Sequence, residues 1–256
     1  MQRNGGFLSG KDLESYRPFV WKNGLEFPYR DCSVRVPPFA CGGITTAMTL
    51  KLLDGFEVSR MGHNSLEMLH AYISCARLAY ADRFAYIADH ELVDVPWRGL
   101  LSEAYTTRRH KSISEQSLSN FELGNPWNEE GRSPQHHLPA SLPSYGGGIT
   151  HLCVIDAEGN AVSLTNTIGS GFGSGIIPKG TGVVMNNGML WFDTFPGRVN
   201  PIEPGKLPLN NMSPALVLDQ NGVRMAVGAS GGRKITSCVT QLIVKGIDFA
   251  MGPQEA

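Results

Sequence analysis

The residues whose types and spacing could support chemistry lie mainly in the second half of the chain. The stretch GGGITH, residues 146–151, places three glycines directly before a threonine hydroxyl and a histidine imidazole. A threonine that becomes an amino terminus through chain cleavage can attack an amide, because its own α-amine, with a pKa of about 8, serves as general base. The same stretch also fits a flexible approach to an ordinary β-hairpin. The residues alone leave both interpretations open.

A second candidate is the glycine pair in GASGGRK, residues 228–234. A strand-like stretch precedes the pair and a helix-like stretch follows it, so we expect Gly231 and Gly232 at a helix amino terminus. Backbone N–H groups are unpaired there, and glycine allows a ligand to approach them closely. Such a pair could form an oxyanion hole, bind a phosphate or simply make a tight turn.

Other motifs point away from metal and nucleotide chemistry. GSGFGSG, residues 169–175, lacks the lysine and Ser/Thr of a phosphate loop, so we interpret it as a loop that lines a site. His136 and His137 lie in a polar stretch and read as a solvated pair. The five cysteines form no C-x-x-C, so neither a zinc site nor a disulfide framework is predicted.

The composition is that of an ordinary globular protein. The 256 residues are 41% apolar and 18% charged, with a net charge of −1. No basic field therefore favours nucleic acid or a membrane surface as a partner. We see no apolar run of about 18 residues that would predict a membrane span, and no signal peptide at the start. The compartment stays open.

The periodicity predicts helices, then hairpins, then a final helix, which is typical of α+β layers. Asn64 and Glu67 form a predicted capping box for the longest helix. Predicted helical segments cover 12–16, 44–55, 64–88, 102–113 and 235–249. Predicted extended segments cover 29–38, 151–156, 161–168, 182–187, 189–193, 214–219 and 223–229. Residues 112–148 are polar and show no sustained period, which indicates a linker or a functional loop.

Taken together, the motifs of the chain resemble those of the γ-glutamyltranspeptidase family. The later part of that family's large subunit resembles NGGFLSGKDLESYRP, YRDCSVRVPPFACGGITTAM, LLDGFEVSRMGHNSLEMLHAYISCARLAYADRFAYIAD and VDVPWRGLLSEAY. The first half of its small subunit resembles THLCVIDAEGNAVSLTNTIGSGFGSG, NNGMLWFDTFPGR, PGKLPLNNMSP and GASGGRKI.

The resemblance implies an α+β fold, the four-layer αββα sandwich of amino-terminal nucleophile hydrolases, here incomplete at both ends. Residues 1–111 would be the C-terminal part of the large-subunit-like region. Residues 112–148 would be a flexible linker that leads to the processing site, and 149–256 the N-terminal part of the small-subunit-like region. We expect large and small subunits cut from one precursor. Many relatives are periplasmic or extracellular. No signal peptide is visible in this chain, so its localisation stays unknown.

The resemblance also implies acyl transfer through a self-processed N-terminal threonine. A γ-glutamyl group would pass from glutathione or a related amide to water or an amino acid. Gly231 and Gly232 match the family's oxyanion-hole glycines, and Thr167 matches the threonine that supports the nucleophile. No cofactor or metal is implied, and no nucleic acid or membrane segment is expected.

The chain departs from the family at the nucleophile. The family places its threonine two residues before the histidine, where this chain has Ile149, which has no hydroxyl. Thr150 is therefore the candidate nucleophile. Alternation along a strand would aim its hydroxyl to the opposite face unless the glycines absorb a bulge. The alternatives are an unprocessed, non-catalytic relative, or an amidase or acylase with a different amide substrate.

The positions that would hold the donor also differ. The family's acidic residue for the donor α-amine aligns with Trp191, which leaves Asp193, two residues on, as the predicted substitute. Asn210 and Asn211 stand where the family has two serines for the α-carboxylate. The family's arginine for that carboxylate belongs to an amino-terminal portion that we expect to be missing here. These changes put strict γ-glutamyl specificity in question.

Overall fold

The computed structural model describes residues 5–117, 120–133 and 148–256. Its helices are α1 (Gly10–Ser15), α2 (Gly43–Leu53), α3 (Val58–Met61), α4 (Leu66–Tyr86), α5 (Trp97–Leu101), α6 (Glu103–His110) and α7 (Lys234–Asp248). Its strands are β1 (Leu25–Tyr29), β2 (Cys32–Val36), β3 (Ile149–Ile155), β4 (Ala161–Thr167), β5 (Ala215–Asp219) and β6 (Gly222–Val227). Two 3₁₀ helices cover Pro126–Glu130 and Gly188–Trp191.

The core is built on a four-stranded antiparallel sheet with the order β1-β2-β5-β6. Alternate residues of β1 and β2 are buried, as expected for strands with one covered face. Val34 of β2 lies opposite Val217 of β5, so the sheet joins strands from distant parts of the chain. Side chains of α2, α4 and α7 pack with this sheet in the main hydrophobic cluster.

The hairpin of β3 and β4 forms a separate two-stranded sheet, as predicted. Seven consecutive residue pairs join the two strands, from Ile149 opposite Thr167 to Ile155 opposite Ala161. The Ser163 hydroxyl donates a hydrogen bond to the Val227 carbonyl at 2.8 Å. This bond holds the hairpin against the end of β6.

The predicted helices are confirmed, although their ends differ by one to three residues. Helix α4 begins at Leu66 because the Ser65 hydroxyl accepts a hydrogen bond from the Met68 N–H at 3.0 Å. Ser65 is therefore the cap, and the prediction of Asn64 was wrong, since Asn64 has a left-handed φ of 56°. Helix α6 ends at His110 instead of 113, because the chain tightens into turn-type bonds such as Ser112 N–H to the Arg109 carbonyl.

The strands predicted at 182–187 and 189–193 are absent, and Gly188–Trp191 forms a 3₁₀ helix in their place. The backbone here bonds to the preceding glycine loop at isolated points and not along a neighbouring strand. The Met185 N–H donates to the Ile176 carbonyl at 2.9 Å and the Asn187 N–H to the Ile168 carbonyl at 3.0 Å, while the Leu190 N–H turns back to the Asn187 carbonyl at 3.1 Å. The asparagine side chains hold the adjoining turns. Asn186 Oδ1 accepts from the Gly188 N–H at 2.8 Å, and Asn187 Oδ1 accepts from the Ser170 N–H at 2.9 Å. The stretch 29–38 is extended only in part, because a turn at Arg30 separates β1 from β2.

The polar stretch 112–148 is not structureless throughout. Its described part contains Pro126–Glu130, and Trp127 there is 2% exposed. The Asn125 side chain caps this helix by accepting from the Trp127 N–H at 3.2 Å. The predicted solvated pair His136–His137 lies outside the described residues. Within the described ranges, no helix is both long and apolar enough to cross a membrane.

Candidate active site

Gly148, just before β3, has a backbone conformation that other residues adopt only with strain. Gly148 has a φ of 66°, and its carbonyl accepts a hydrogen bond from the Ile168 N–H at 3.1 Å. A Cβ at this position would lie 2.6 Å from the Ser170 carbonyl oxygen. The close approach brings the loop after β4 against the first residue of β3.

The first two residues of β3 point to opposite faces of the hairpin. Ile149 is half-buried and packs against the main hydrophobic cluster, whereas Thr150 is exposed. Ile149 lies opposite Thr167, and Thr150 lies opposite Asn166. The pairing continues without a bulge along all of β3, so the structure brings Thr167 to Ile149 and not to Thr150.

Thr167, the predicted support residue, is half-buried at the end of β4. Its hydroxyl accepts a hydrogen bond from the Gly169 N–H at 3.0 Å. A Cβ at Gly169, which has a φ of 92°, would overlap the Asn187 side-chain oxygen. Thr167 is therefore fixed by the glycine loop, and its supporting role stays a prediction.

His151 joins the site by alternation, since it shares the inward face with Ile149. Its Nδ1 lies 2.9 Å from the Thr165 hydroxyl and its Nε2 lies 3.0 Å from the Cys153 sulfur. The ring rests against Gly228, where any Cβ would overlap it. Burial lowers the pKa of His151, which favours the neutral imidazole. Thr165 and Gly228 are not among the residues predicted from the sequence; the period of two in β4, which places Thr165 on the same face as Thr167, is the signal that indicates Thr165.

The glycine pair lies immediately before α7, as predicted. Gly231 is exposed with a φ of 119°, and Gly232 is buried with a φ of 61°. Their carbonyls accept from the Lys234 and Ile235 N–H groups, each at 3.2 Å. Their own N–H groups have no acceptor among the described residues. Two free N–H groups at a helix start could stabilise a carbonyl oxygen, so the oxyanion-hole role stays open as a prediction.

Asp193, the predicted amine-binding residue, is buried, with a carboxylate oxygen 4.0 Å from Nε of Arg198. Its N–H donates to the Asn200 carbonyl at 2.8 Å. Trp191, at the aligned position, packs its ring 3.3 Å from where a Cβ of Gly188 would lie. The structure therefore places an indole where the resemblance predicts an acid, and pairs the neighbouring carboxylate with an arginine.

Asn210 and Asn211, the predicted carboxylate-binding residues, make hydrogen bonds to other parts of the protein. The Asn210 amide donates to the Ala40 carbonyl at 2.9 Å and its oxygen accepts from the Met212 N–H at 3.1 Å. The Asn211 oxygen accepts from Arg83 at 3.2 Å. At least three of the polar groups on these two side chains therefore bond to the protein, and their role in substrate binding stays a prediction.

The predicted positions converge only in part. A cavity of about 360 Å³ brings Asn210, Trp191 and Thr165 together. Asp193 and Asn211 do not line this cavity. In the part of the chain that the structure describes, no group of three His, Cys, Asp or Glu side chains could hold a metal ion.

Comparison with known proteins identifies the family. The sequence profile described as Gamma-glutamyltranspeptidase matches residues 1–256. The glutathione hydrolase proenzyme of Bacillus subtilis subsp. natto is 34% identical, with all of this chain aligned to 44% of that protein. The glutathione hydrolase proenzyme of Escherichia coli (strain K12) is 32% identical, again with all of this chain aligned to 44% of that protein. The chain thus spans less than half the length of these relatives.

The structural comparison agrees with the sequence profile. The cephalosporin acylase from Bacillus halodurans superposes with a TM-score of 0.84 at 28% identity, over 99% of this chain and 42% of that one. The predicted α+β fold of the amino-terminal nucleophile hydrolase type is confirmed by this likeness. These relatives are named as glutathione hydrolase proenzymes and a cephalosporin acylase, so they are enzymes. On the full-length profile match and these identities, the chain belongs to the gamma-glutamyltranspeptidase family.

Proposed function

We propose that the protein containing this chain binds small amides in a γ-glutamyltranspeptidase-type site without cleaving itself or transferring the acyl group. The observation that carries the proposal is the orientation of Ile149, which packs inward beside Thr167. The family resemblance puts the nucleophilic hydroxyl at this position, and an isoleucine side chain can neither attack an amide nor start self-cleavage. Thr150 has a hydroxyl, but it lies on the exposed face.

Amide binding is supported by the groups that remain. The N–H groups of Gly231 and Gly232 have no acceptor among the described residues. Donors of this kind favour the polarised oxygen of an amide carbonyl. His151 is held by Thr165 and Cys153 on the same face of the hairpin as Ile149. These donors and the imidazole support amide binding, although Ile149, Trp191 and the pair Asn210–Asn211 replace the family's nucleophile, acid and serines.

A second candidate function is acyl transfer through Thr150. Its support is that Thr150 is exposed and lies two residues after Gly148, where a glycine run could be cut. Cleavage after Ile149 would make the Thr150 α-amine the general base. The acyl group of glutathione, a related γ-glutamyl amide or another amide would then pass to water or an amino acid. The protein would consist of a large and a small subunit from one precursor.

The deciding experiment is intact mass and amino-terminal sequencing of the purified full-length protein. We expect one unbroken chain from the natural sequence and from Thr150→Ala. We expect two chains from Ile149→Thr, the smaller beginning at position 149, because the variant restores a hydroxyl on the inward face. Two chains from the natural sequence, with the smaller beginning at Thr150, would overturn the proposal in favour of the second candidate.

An anilide hydrolysis assay on the same three proteins, with γ-glutamyl and phenylacetyl anilides, measures the consequence. Only Ile149→Thr should release the aniline above the rate without protein. If the natural protein releases the aniline and Thr150→Ala does not, the second candidate is supported.

A further inference from the structure

The 360 Å³ cavity beside the candidate site has apolar walls. Its volume falls within the range of about 300–1,000 Å³ that is typical of small-molecule sites. Aromatic rings, prolines and other apolar side chains supply most of the lining, namely Trp21, Pro37, Pro38, Phe39, Ala40, Cys41, Trp191, Leu207, Pro208, Met212 and Pro214. Asp89, His90, Thr165 and Asn210 complete it.

Two contacts connect this cavity to the candidate site. Thr165, which lines it, holds His151 through the 2.9 Å bond to Nδ1. Asn210 lines it too, and the next residue, Asn211, packs close to the first turn of α7. Gly42 lies between the Asn211 carbonyl and the Thr236 side chain, both within 3 Å of where its Cβ would be. The cavity wall at Asn210 is therefore connected through Asn211 and Gly42 to the first turn of α7, which follows the glycine pair.

The cavity has no free charge for an amino-acid ligand. Asp89 is its sole carboxylate among the described lining residues, and it is 2% exposed. Its two oxygens accept from the Leu207 N–H at 2.7 Å and the Glu91 N–H at 3.2 Å. No lysine or arginine occurs in the described lining. A carboxylate placed here would lose hydration without a cationic partner, and an ammonium would have to share Asp89, whose oxygens already accept two backbone N–H bonds.

The aromatic walls are held in place by their neighbours. Phe39 stacks on His90 with ring centroids 3.4 Å apart, and Trp97 meets its edge at 6.0 Å. Trp191 rests on Gly188, where a side chain would press on the indole. Rigid aromatic surfaces of this kind favour an apolar group through burial and ring stacking.

We infer that the amide bound by this protein carries an uncharged apolar group, aromatic or branched aliphatic, which occupies this cavity in place of a γ-glutamyl group. The inference rests on the proposed amide-binding function. Trp191 is its specificity-determining residue, because the indole stands where the resemblance predicts an acid for the donor amine.

The test compares two primary amides, phenylacetamide and L-glutamine, by calorimetric titration of the full-length protein. Phenylacetamide should bind at least about tenfold more tightly. Trp191→Asp should weaken phenylacetamide at least about tenfold and remove that preference. Met189→Asp is the matched control, since it adds the same charge on the same 3₁₀ helix at an exposed residue outside the cavity, and it should leave both affinities unchanged.

Each outcome separates the two proposals. Glutamine binding at least as tightly as phenylacetamide to the natural protein would overturn the inference and leave the proposed function intact. If neither amide binds the folded protein, the proposed function fails and the inference fails with it. Should Trp191→Asp not fold, Trp191→Ala makes the same test without a buried charge, and unchanged phenylacetamide affinity in that variant would contradict the role of the indole.

Discussion

At the scale of single residues, the chemistry of this chain depends on which face of β3 each side chain occupies. Ile149 and His151 point inward and Thr150 points outward, and the unbroken pairing with β4 fixes this alternation. Moving the Thr150 hydroxyl inward would require a one-residue slip, which would also turn His151 away from Thr165. The position of the hydroxyl is thus tied to that of the imidazole.

Gly228 should tolerate no side chain, because any Cβ would overlap the His151 ring. Gly228→Ala is expected to displace the ring, break its bond to Thr165 and destabilise the protein by about 1–3 kcal/mol. Denaturant unfolding of the full-length protein measures the change. Gly171→Ala is the control, since nothing lies within 4 Å of its Cβ and its φ is not positive. Equal stability of the two variants would show that the ring does not pack on Gly228.

His151 should make the stability depend on pH. Burial lowers its pKa below the ordinary value of 6.5, so the unfolded chain takes up a proton before the folded one does. The stability that neutral His151 contributes is present above about pH 6.5 and is lost as the pH falls through the lowered pKa. Burial lowers the pKa of His110 in the same direction, so part of the dependence remains without His151.

The measurement is the melting temperature of the natural full-length protein and of His151→Gln between pH 5 and pH 8. We expect the natural protein to lose more stability on acidification than the variant, so the two curves converge at low pH. Curves that stay parallel would exclude His151 as a source of the dependence.

At the scale of elements, a single hydroxyl fixes where the longest helix begins. Ser65 caps α4, and Ser65→Ala is expected to cost about 1 kcal/mol, because the Met68 N–H loses its acceptor. Ser65→Asp should retain most of the stability, since a carboxylate oxygen can accept the same bond and favours a helix amino terminus. Thermal unfolding of the full-length protein compares the three. If Ser65→Ala leaves the melting temperature unchanged, Ser65 is not the cap and Asn64 is the remaining candidate.

At the scale of the whole molecule, Arg83 connects the two halves of the sequence. It is fully buried in α4, and its guanidinium donates to the Cys41 carbonyl, the Thr45 hydroxyl and the Asn210 carbonyl at 2.6–2.9 Å. Burial lowers its pKa to about 10, so it stays charged at neutral pH. The acceptors are backbone, hydroxyl and amide oxygens, which bind the cation without a carboxylate.

Arg83→Met should therefore cost at least about 3 kcal/mol, because it leaves several buried acceptors without a donor. The full-length variant would show this as a lower midpoint of denaturant unfolding. Arg60→Met is the control, since Arg60 is exposed and pairs with Glu57 at 3.6 Å, and a change within about 0.5 kcal/mol is expected there. Similar losses in both variants would contradict a connecting role for Arg83.

The sequence alone determined the family, the α+β class and the existence of most elements. Strong local signals explain this: the three-four spacing of α4, the period of two in β3 and β4, and the glycine pair before α7 are each written within one short segment. It also showed that position 149 has no hydroxyl. The proposed segments 1–111 and 149–256 rest on the same motifs.

Only the tertiary structure decided how those segments meet. The order β1-β2-β5-β6 places a strand from the first segment beside one from the last, which no local pattern encodes. The tertiary structure pairs Asp193 with Arg198 and bonds Asn211 to Arg83. It also places the Trp191 indole in the cavity wall. The strands expected around Trp191 failed for the same reason, since the Met185 and Asn187 N–H groups bond to the distant glycine loop and the Leu190 N–H bonds back to Asn187. Whether a polar group is free to bind a ligand or pair in a strand depends on partners that are distant in sequence. Packing therefore fixes it, and the local order of residues does not.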